Sequence, residues 1–415
     1  MNKKFALTCV CFLILFSPTL AKEIPKAAKP EEVGMSTAGL EKVKAVAAKI
    51  VADNKAKGIT LAIVKDGKLV LNESYGQRAI KSSMQNDTIF RIYSMSKLIT
   101  SIAALKLYEE GKIDLDAPIG KYVPEMKNLE LYKEGGNVTP KRQPTVRDLM
   151  RHTSGLTYGI MSNTPVDKMC NRAGILTSRT TAVMTQKLGR IPLLYEPGTR
   201  FNYGFSTDVL GRIVEIVSGK ALDVFLQENI FTPLEMEDTG FYVPREKVKR
   251  FSTCYTKISG KLVPIPFSTA KLSKYHAKPT QLSGGGGLVS TTHDYLQVLL
   301  MLLNNGELNG KRILKASTVK LITTNQLSKE MGWVQFGNKR LVGKGHSLGC
   351  SVFPEKSTWS AAPAGEFAWD GIASSHYWVS PKDKLAVVIM QQLMPFSMHA
   401  DQMLKGPIYE AIEKP

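Results

Sequence analysis

The chain has 415 residues, 43% of them hydrophobic, and a formal charge of +19, which is enough apolar material for one large domain or two intimate ones. Its five cysteines are too few and too scattered for a disulfide framework or a metal cluster, and its six histidines show no H-x-x-x-H or H-E-x-x-H pairing. No nucleic-acid-binding motif accompanies the positive charge, so neither a metal, a cofactor nor a nucleic-acid partner is expected.

Residues 1–21 read as a secretory leader: Lys3 and Lys4 start it, 5–16 form a short apolar core, and Thr19-Leu20-Ala21 offers a cleavage site. The apolar run is short for a membrane anchor. Cleavage after Ala21 removes Cys9 and Cys11, leaves Cys170, Cys254 and Cys350, and gives a net charge of 19 − 2 = +17. At most one disulfide can then form. A periplasmic or secreted protein is expected, its charge serving either attraction to an anionic cell envelope or simple solubility.

Ser36 caps an expected helix whose Leu40, Val43, Ala47, Ile50 and Val51 form one stripe. Strands at 59–64 and 68–72 follow, joined at Asp66-Gly67, a strong hairpin signal. The apolar run 88–92 then opens onto Tyr93-Ser94-Met95-Ser96-Lys97, where Ile99, Ile102, Ala103 and Leu107 continue at helical spacing until Gly111. A three-residue helical step brings Ser94 and Lys97 to one face. A serine hydroxyl needs such a neighbouring base to become a nucleophile, and a helix N-terminus offers a backbone N–H for an oxyanion.

Spacing alone does not separate this pair from a capping serine with a surface lysine. Two further S-x-x-K matches exist, Ser268/Lys271 and Ser317/Lys320. The first lies in a Pro- and Ser-rich stretch; the second stands where a surface helix would start, with Ser317 as its cap. Only Ser94 opens an apolar helix that must be buried.

From 111 to 283 prolines, glycines and short helical runs alternate, suggesting a mostly helical insertion. It includes a short helix and turn over 146–158, and helices at 208–217 and 222–230. The run Gly284-Gly285-Gly286-Gly287 lacks the lysine of a phosphate loop and reads as close packing or a tight turn. Thr291 or Thr292 caps a helix through Leu303. Strands at 367–369, 375–379 and 385–391 precede a helix over 400–413. One antiparallel sheet built from both chain ends (22–110 and 284–415) is expected, hence an α+β fold.

A second nucleophile candidate, Gly345-His346-Ser347-Leu348-Gly349, fits the G-x-S-x-G elbow. Its approach, 338–344, is too charged for a central strand, and no helical pattern follows. It reads as a decoy at a glycine-rich strand entry.

With Glu196-Pro197-Gly198 and Tyr203 the chain resembles the serine β-lactamase and penicillin-binding-protein superfamily, nearest its class C-like and family VIII esterase branches. The ordered pieces are Ser94-Met95-Ser96-Lys97, Asp148 to Leu156, Pro197-Gly198 with Tyr203, Gly284 to Ser290, and Trp369-Asp370-Gly371. The resemblance implies an α-β-α sandwich with an antiparallel sheet plus a mostly helical region. It also implies Ser94 as the acylated nucleophile, Lys97 and Tyr203 as a coupled proton-transfer pair, and the N–H groups of Ser94 and Ile372 as the oxyanion hole. His152 belongs to a signature that looks structural. Phe205 stands where class C enzymes and transpeptidases carry Asn, and Trp369 where lactamases carry Lys. With Asp370 and Gly371 these are expected to line the substrate site. Both departures remove polar recognition and add aromatic surface, so a small-ester carboxylesterase is expected ahead of a β-lactamase or D-Ala-D-Ala carboxypeptidase. A catalytically weak envelope-binding protein of the same fold is a third reading.

Overall fold

A computed structural model describes residues 23–266, 274–337 and 339–413. The leader and the Ser268/Lys271 match lie outside the described residues.

Helix α1 (Thr37–Ala52) starts at Ser36, whose hydroxyl accepts from Gly39 N–H at 3.2 Å. Strand β1 (Gly58–Lys65) turns through Asp66 and Gly67, both at positive φ, into β2 (Lys68–Ala79). β2 runs well past the 68–72 expected from its apolar alternation. The extension passes through Gly76 at φ +75°, where a side chain would come 2.4 Å from the Lys57 carbonyl. That departure from regular strand geometry suits glycine alone.

The remaining strands of the sheet are β3 (Ser82–Ser83), β4 (Gly345–His346), β5 (Ser351–Val352), β6 (Phe367–Gly371), β7 (Ser375–Ser380) and β8 (Leu385–Met390). Eight strands lie in the order β4-β5-β6-β7-β8-β1-β2-β3, every neighbouring pair antiparallel. The two chain ends therefore meet at β1 and β8, where Leu61 faces Ile389.

Helices cover both faces, which explains why β1 and β8 are buried along their whole length and largely apolar rather than alternating. On one face α1 and the C-terminal helix α5 (His399–Glu410) pack over Leu61, Ile63, Trp378, Val387 and Ile389. On the other, α2 (Ser96–Glu109) and α4 (Thr292–Leu303) cover Ala62, Val64, Phe367, Tyr377 and Val388. Thr291 caps α4 by accepting from Asp294 N–H at 3.1 Å. The α+β sandwich with a large antiparallel sheet is as expected from the sequence.

Between α2 and α4 the chain forms short helices, among them Val146–Met150, α3 (Ser206–Ser218) and Leu222–Leu226, the last continuing into a π-turn at Gln227–Phe231. The short helix and turn expected over 146–158 are there: the helix ends at Met150, and His152 and Gly155 take positive φ in the turn. Cys170, Cys254 and Cys350 are all buried and free.

Candidate active site

Residues Phe90–Arg91 pair with Val289–Ser290, and this small ladder brings the glycine run against the head of α2. Ile92 N–H donates to Leu288 carbonyl at 3.1 Å, and Leu288 N–H to Ser96 Oγ at the same distance. Thr100 Oγ1 donates to Gly284 carbonyl at 2.8 Å. The glycines are needed here. A Cβ on Gly284 would lie 2.8 Å from the Thr207 carbonyl, and one on Gly285 2.4 Å from Asp208 Oδ2. Close packing, rather than a phosphate cradle, is what the run does.

Ser94 sits inside a 3-10 turn, Tyr93–Met95, that leads into α2. Tyr93 takes φ +43°, a strained conformation for a tyrosine that costs about 1–3 kcal/mol and aims the next side chain out of the helix line. The turn is held by Tyr295, whose hydroxyl donates to Met95 carbonyl at 2.9 Å.

The expected trio meets at this point. Tyr203 OH donates to Ser94 Oγ at 2.7 Å, and Lys97 Nζ donates to the same oxygen at 3.1 Å. Lys97 is only 2% exposed and is anchored by a second bond, 2.6 Å to Gly285 carbonyl. The Tyr203 ring covers the ammonium at 4.7 Å.

Aromatic rings pack round Tyr203. His152 lies 4.8 Å away, Tyr158 5.2 Å, Phe336 5.3 Å and Trp369 5.5 Å. His346 stands edge-on to Trp369 at 5.2 Å. Burial pushes the His346 imidazole down to about 3 and that of His152 well below its ordinary value, and the nearby Lys97 charge acts in the same direction. Both rings are neutral at physiological pH and serve as packing. That fits the structural reading of the His152 signature.

Strand β6 flanks the nucleophile turn so closely that a side chain on Gly371 would reach within 2.7 Å of Ile92 carbonyl. Trp369 is on the α2 side of the sheet and 4% exposed. Ile372 follows Gly371 in the β6–β7 turn and is 46% exposed.

Two expected substrate contacts need correction. Strand alternation turns Asp370 away from Trp369, and its carboxylate pairs with His376 Nδ1 at 2.7 Å across β6 and β7. Phe205 is 2% exposed, its ring packed edge-on to Tyr158 at 4.8 Å, so it supports the site wall instead of forming it. Sequence reasoning missed Tyr158, Phe336, His346 and Asp208, none of which has a local spacing signal toward Ser94.

The competing serines have no such surroundings. Ser347 is wholly buried and donates to Cys350 carbonyl at 3.0 Å. It leaves β4 as the strand ends, which is the expected glycine-rich strand entry. Ser317 and Lys320 are both exposed on the helix Ala316–Thr323. The cap position of that helix is Lys315, not Ser317 as expected.

A family model described as beta-lactamase matches residues 43–406. Protein Rv1367c of Mycobacterium tuberculosis is 32% identical over 354 residues, covering 81% of this chain and 86% of that protein. An acyltransferase of Penicillium decumbens, calJ, is 28% identical over 337 residues, with 76% and 78% covered. Among solved structures, that of EstCE1, described as a hydrolase with promiscuous acyltransferase activity, superposes with a TM-score of 0.79. It is 24% identical, with 89% of this chain and 98% of that one covered.

Proposed function

Because this chain belongs to the β-lactamase family, and is a serine hydrolase of that superfamily, we propose that it is an exported carboxylesterase acting on small esters through an acyl-Ser94 intermediate. The observation that supports this reading best is Ser94 Oγ held between Tyr203 OH at 2.7 Å and Lys97 Nζ at 3.1 Å.

In this reading the Lys97–Tyr203 unit, one proton short, takes the Ser94 proton as Oγ attacks the ester carbonyl. The tetrahedral oxyanion is received by the N–H groups of Ser94 and Ile372. The unit returns the proton to the departing alkoxide. A water then attacks the acyl-Ser94 carbonyl, giving up its proton by the same route, and Ser94 is regenerated. His152 and His346, held neutral, take no proton in the cycle. The aromatic surround, with Trp369 in place of a cation and no amide at Phe205, favours an apolar acyl group over a carboxylate-bearing lactam. The relative named as an acyltransferase favours a variant in which an alcohol rather than water resolves the acyl-enzyme. The leader at 1–21 supports export.

The test is intact-mass measurement of the mature protein after a fluorophosphonate and after an aryl ester, followed by peptide mapping. Label on Ser94 is expected. Label on Ser347 with none on Ser94 ends this reading.

A further inference from the structure

The base that serves Ser94 is itself held by a device on α3. Asp208, in the first turn of α3, is 4% exposed. Its Oδ1 accepts Ser283 Oγ at 2.5 Å and Gly285 N–H at 3.1 Å, and its carboxylate also takes the Tyr158 hydroxyl. Gly285 is the residue whose carbonyl holds Lys97 Nζ at 2.6 Å. One peptide is thus gripped at its N–H side by Asp208 while its neighbouring carbonyl grips the lysine. A second path reaches the same atom. The Tyr158 ring stands 5.3 Å from Lys97 Nζ and 5.2 Å from Tyr203, with its hydroxyl tied back to Asp208. Gly285 cannot bear a side chain, because a Cβ would fall 2.4 Å from Asp208 Oδ2 and 2.9 Å from Tyr158 OH. The contact between carboxylate, peptide and phenol is therefore tight.

We propose that Asp208 is a positioning residue for acylation: through the Gly285 segment and the Tyr158 phenol it fixes Lys97 Nζ beside Ser94 Oγ. The inference rests on the acyl-Ser94 reading above. A buried carboxylate is suited to this task because it accepts several hydrogen bonds at once. The groups facing Lys97 are Ser94, Tyr203, Tyr158 and the Gly285 carbonyl, with His152 and His346 farther off and kept neutral by burial. Those facing Asp208 are Ser283, Gly285 N–H and Tyr158.

The experiment measures fluorophosphonate labelling of Ser94 and aryl-ester kcat and KM across pH, with thermal unfolding alongside. Its variants are Asp208→Asn, Tyr158→Phe and Asp294→Asn. Asp294 is the matched control: it too is buried in the first turn of a helix, but it is bonded to Asp238 N–H and Thr239, away from Lys97. Asp208→Asn is expected to lower the plateau kcat at least tenfold with KM changed less than threefold. The rate of Ser94 labelling should fall by a similar factor. Tyr158→Phe keeps the ring but removes the hydroxyl that ties it to Asp208, so its kcat should fall in the same direction with KM little changed. It serves as the test if Asp208→Asn does not fold. Asp294→Asn should change thermal stability alone. A plateau kcat within threefold of wild type in both Asp208→Asn and Tyr158→Phe overturns the inference. Absence of label on wild-type Ser94 instead ends the acyl-enzyme reading on which it rests.

Discussion

Replacing Tyr203 by phenylalanine removes one oxygen and leaves a ring whose neighbours, His152, Tyr158, Phe336 and Trp369, all pack against carbon atoms. Folding stability should change little. The oxygen lost is the one 2.7 Å from Ser94 Oγ. Positioned proton transfer is worth about 100- to 10,000-fold, or about 2.7–5.4 kcal/mol of barrier. Lys97→Met deletes the other donor to Ser94 and also leaves the Gly285 carbonyl unpaired, which costs about 1–3 kcal/mol of stability. If lysine and tyrosine move one proton together, either single change already breaks the relay. The double variant should then fall within about tenfold of the slower single one, as members of a catalytic unit do. Independent roles would multiply the two losses. The assay is the fluorophosphonate labelling rate and the aryl-ester kcat/KM of all four proteins. Fully multiplicative losses would refute the coupled pair.

Short-chain aryl esters should be turned over more efficiently than penicillins or cephalosporins. A lactam brings a carboxylate and an amide that lack a Lys at Trp369 and an Asn at Phe205, and an unpaired polar group costs about 1–3 kcal/mol, so two such groups predict a disadvantage of about tenfold to several thousandfold in kcat/KM; a higher value for the lactams reverses the order of the two readings. Acid stability should depend on Asp148. Burial would raise its carboxyl, but the Arg142 hydrogen bond and those from Thr145 and Thr153 outweigh it and hold the group at about 2 against an ordinary 3.8. A depressed carboxyl contributes stability that is present above its unfolded value and lost as pH falls through the folded one. The loss from this group should therefore run from about pH 4 to about pH 2 and amount to about 2.5 kcal/mol, seen as a urea midpoint that falls less steeply over this window in Asp148→Asn than in wild type. N-terminal sequencing of the exported protein should begin at Lys22; Met1 retained on a cytosolic product contradicts the leader.

Local geometry made part of the site legible. The i, i+3 placement of Ser94 and Lys97 and the burial of the helix behind them follow from residues 94–107 alone, because helical spacing is fixed over one turn. The Asp66-Gly67 hairpin and the caps at Ser36 and Thr291 are likewise short-range. Tyr203 had no such signal and came only from the resemblance in the order of motifs. Phe205 and Asp370 show the limit of that route. The resemblance put them at the substrate site, but burial against Tyr158 and the strand's alternation toward His376 decide what their side chains can touch.

The sequence by itself determined the two covered faces of the sheet. The largely apolar runs of β1 and β8 have no polar face to present to water, so any stable fold must bury them on both sides. It also singled out Ser94 as the candidate nucleophile, because of the three S-x-x-K serines Ser94 alone begins a helix that has to be buried. Tertiary structure alone decided the surroundings of Lys97. Gly285 lies 188 positions away and Tyr203 109 positions from Ser94. Contacts at that separation depend on the register in which Phe90–Arg91 meets Val289–Ser290, a pairing whose side chains carry no mark of their partner.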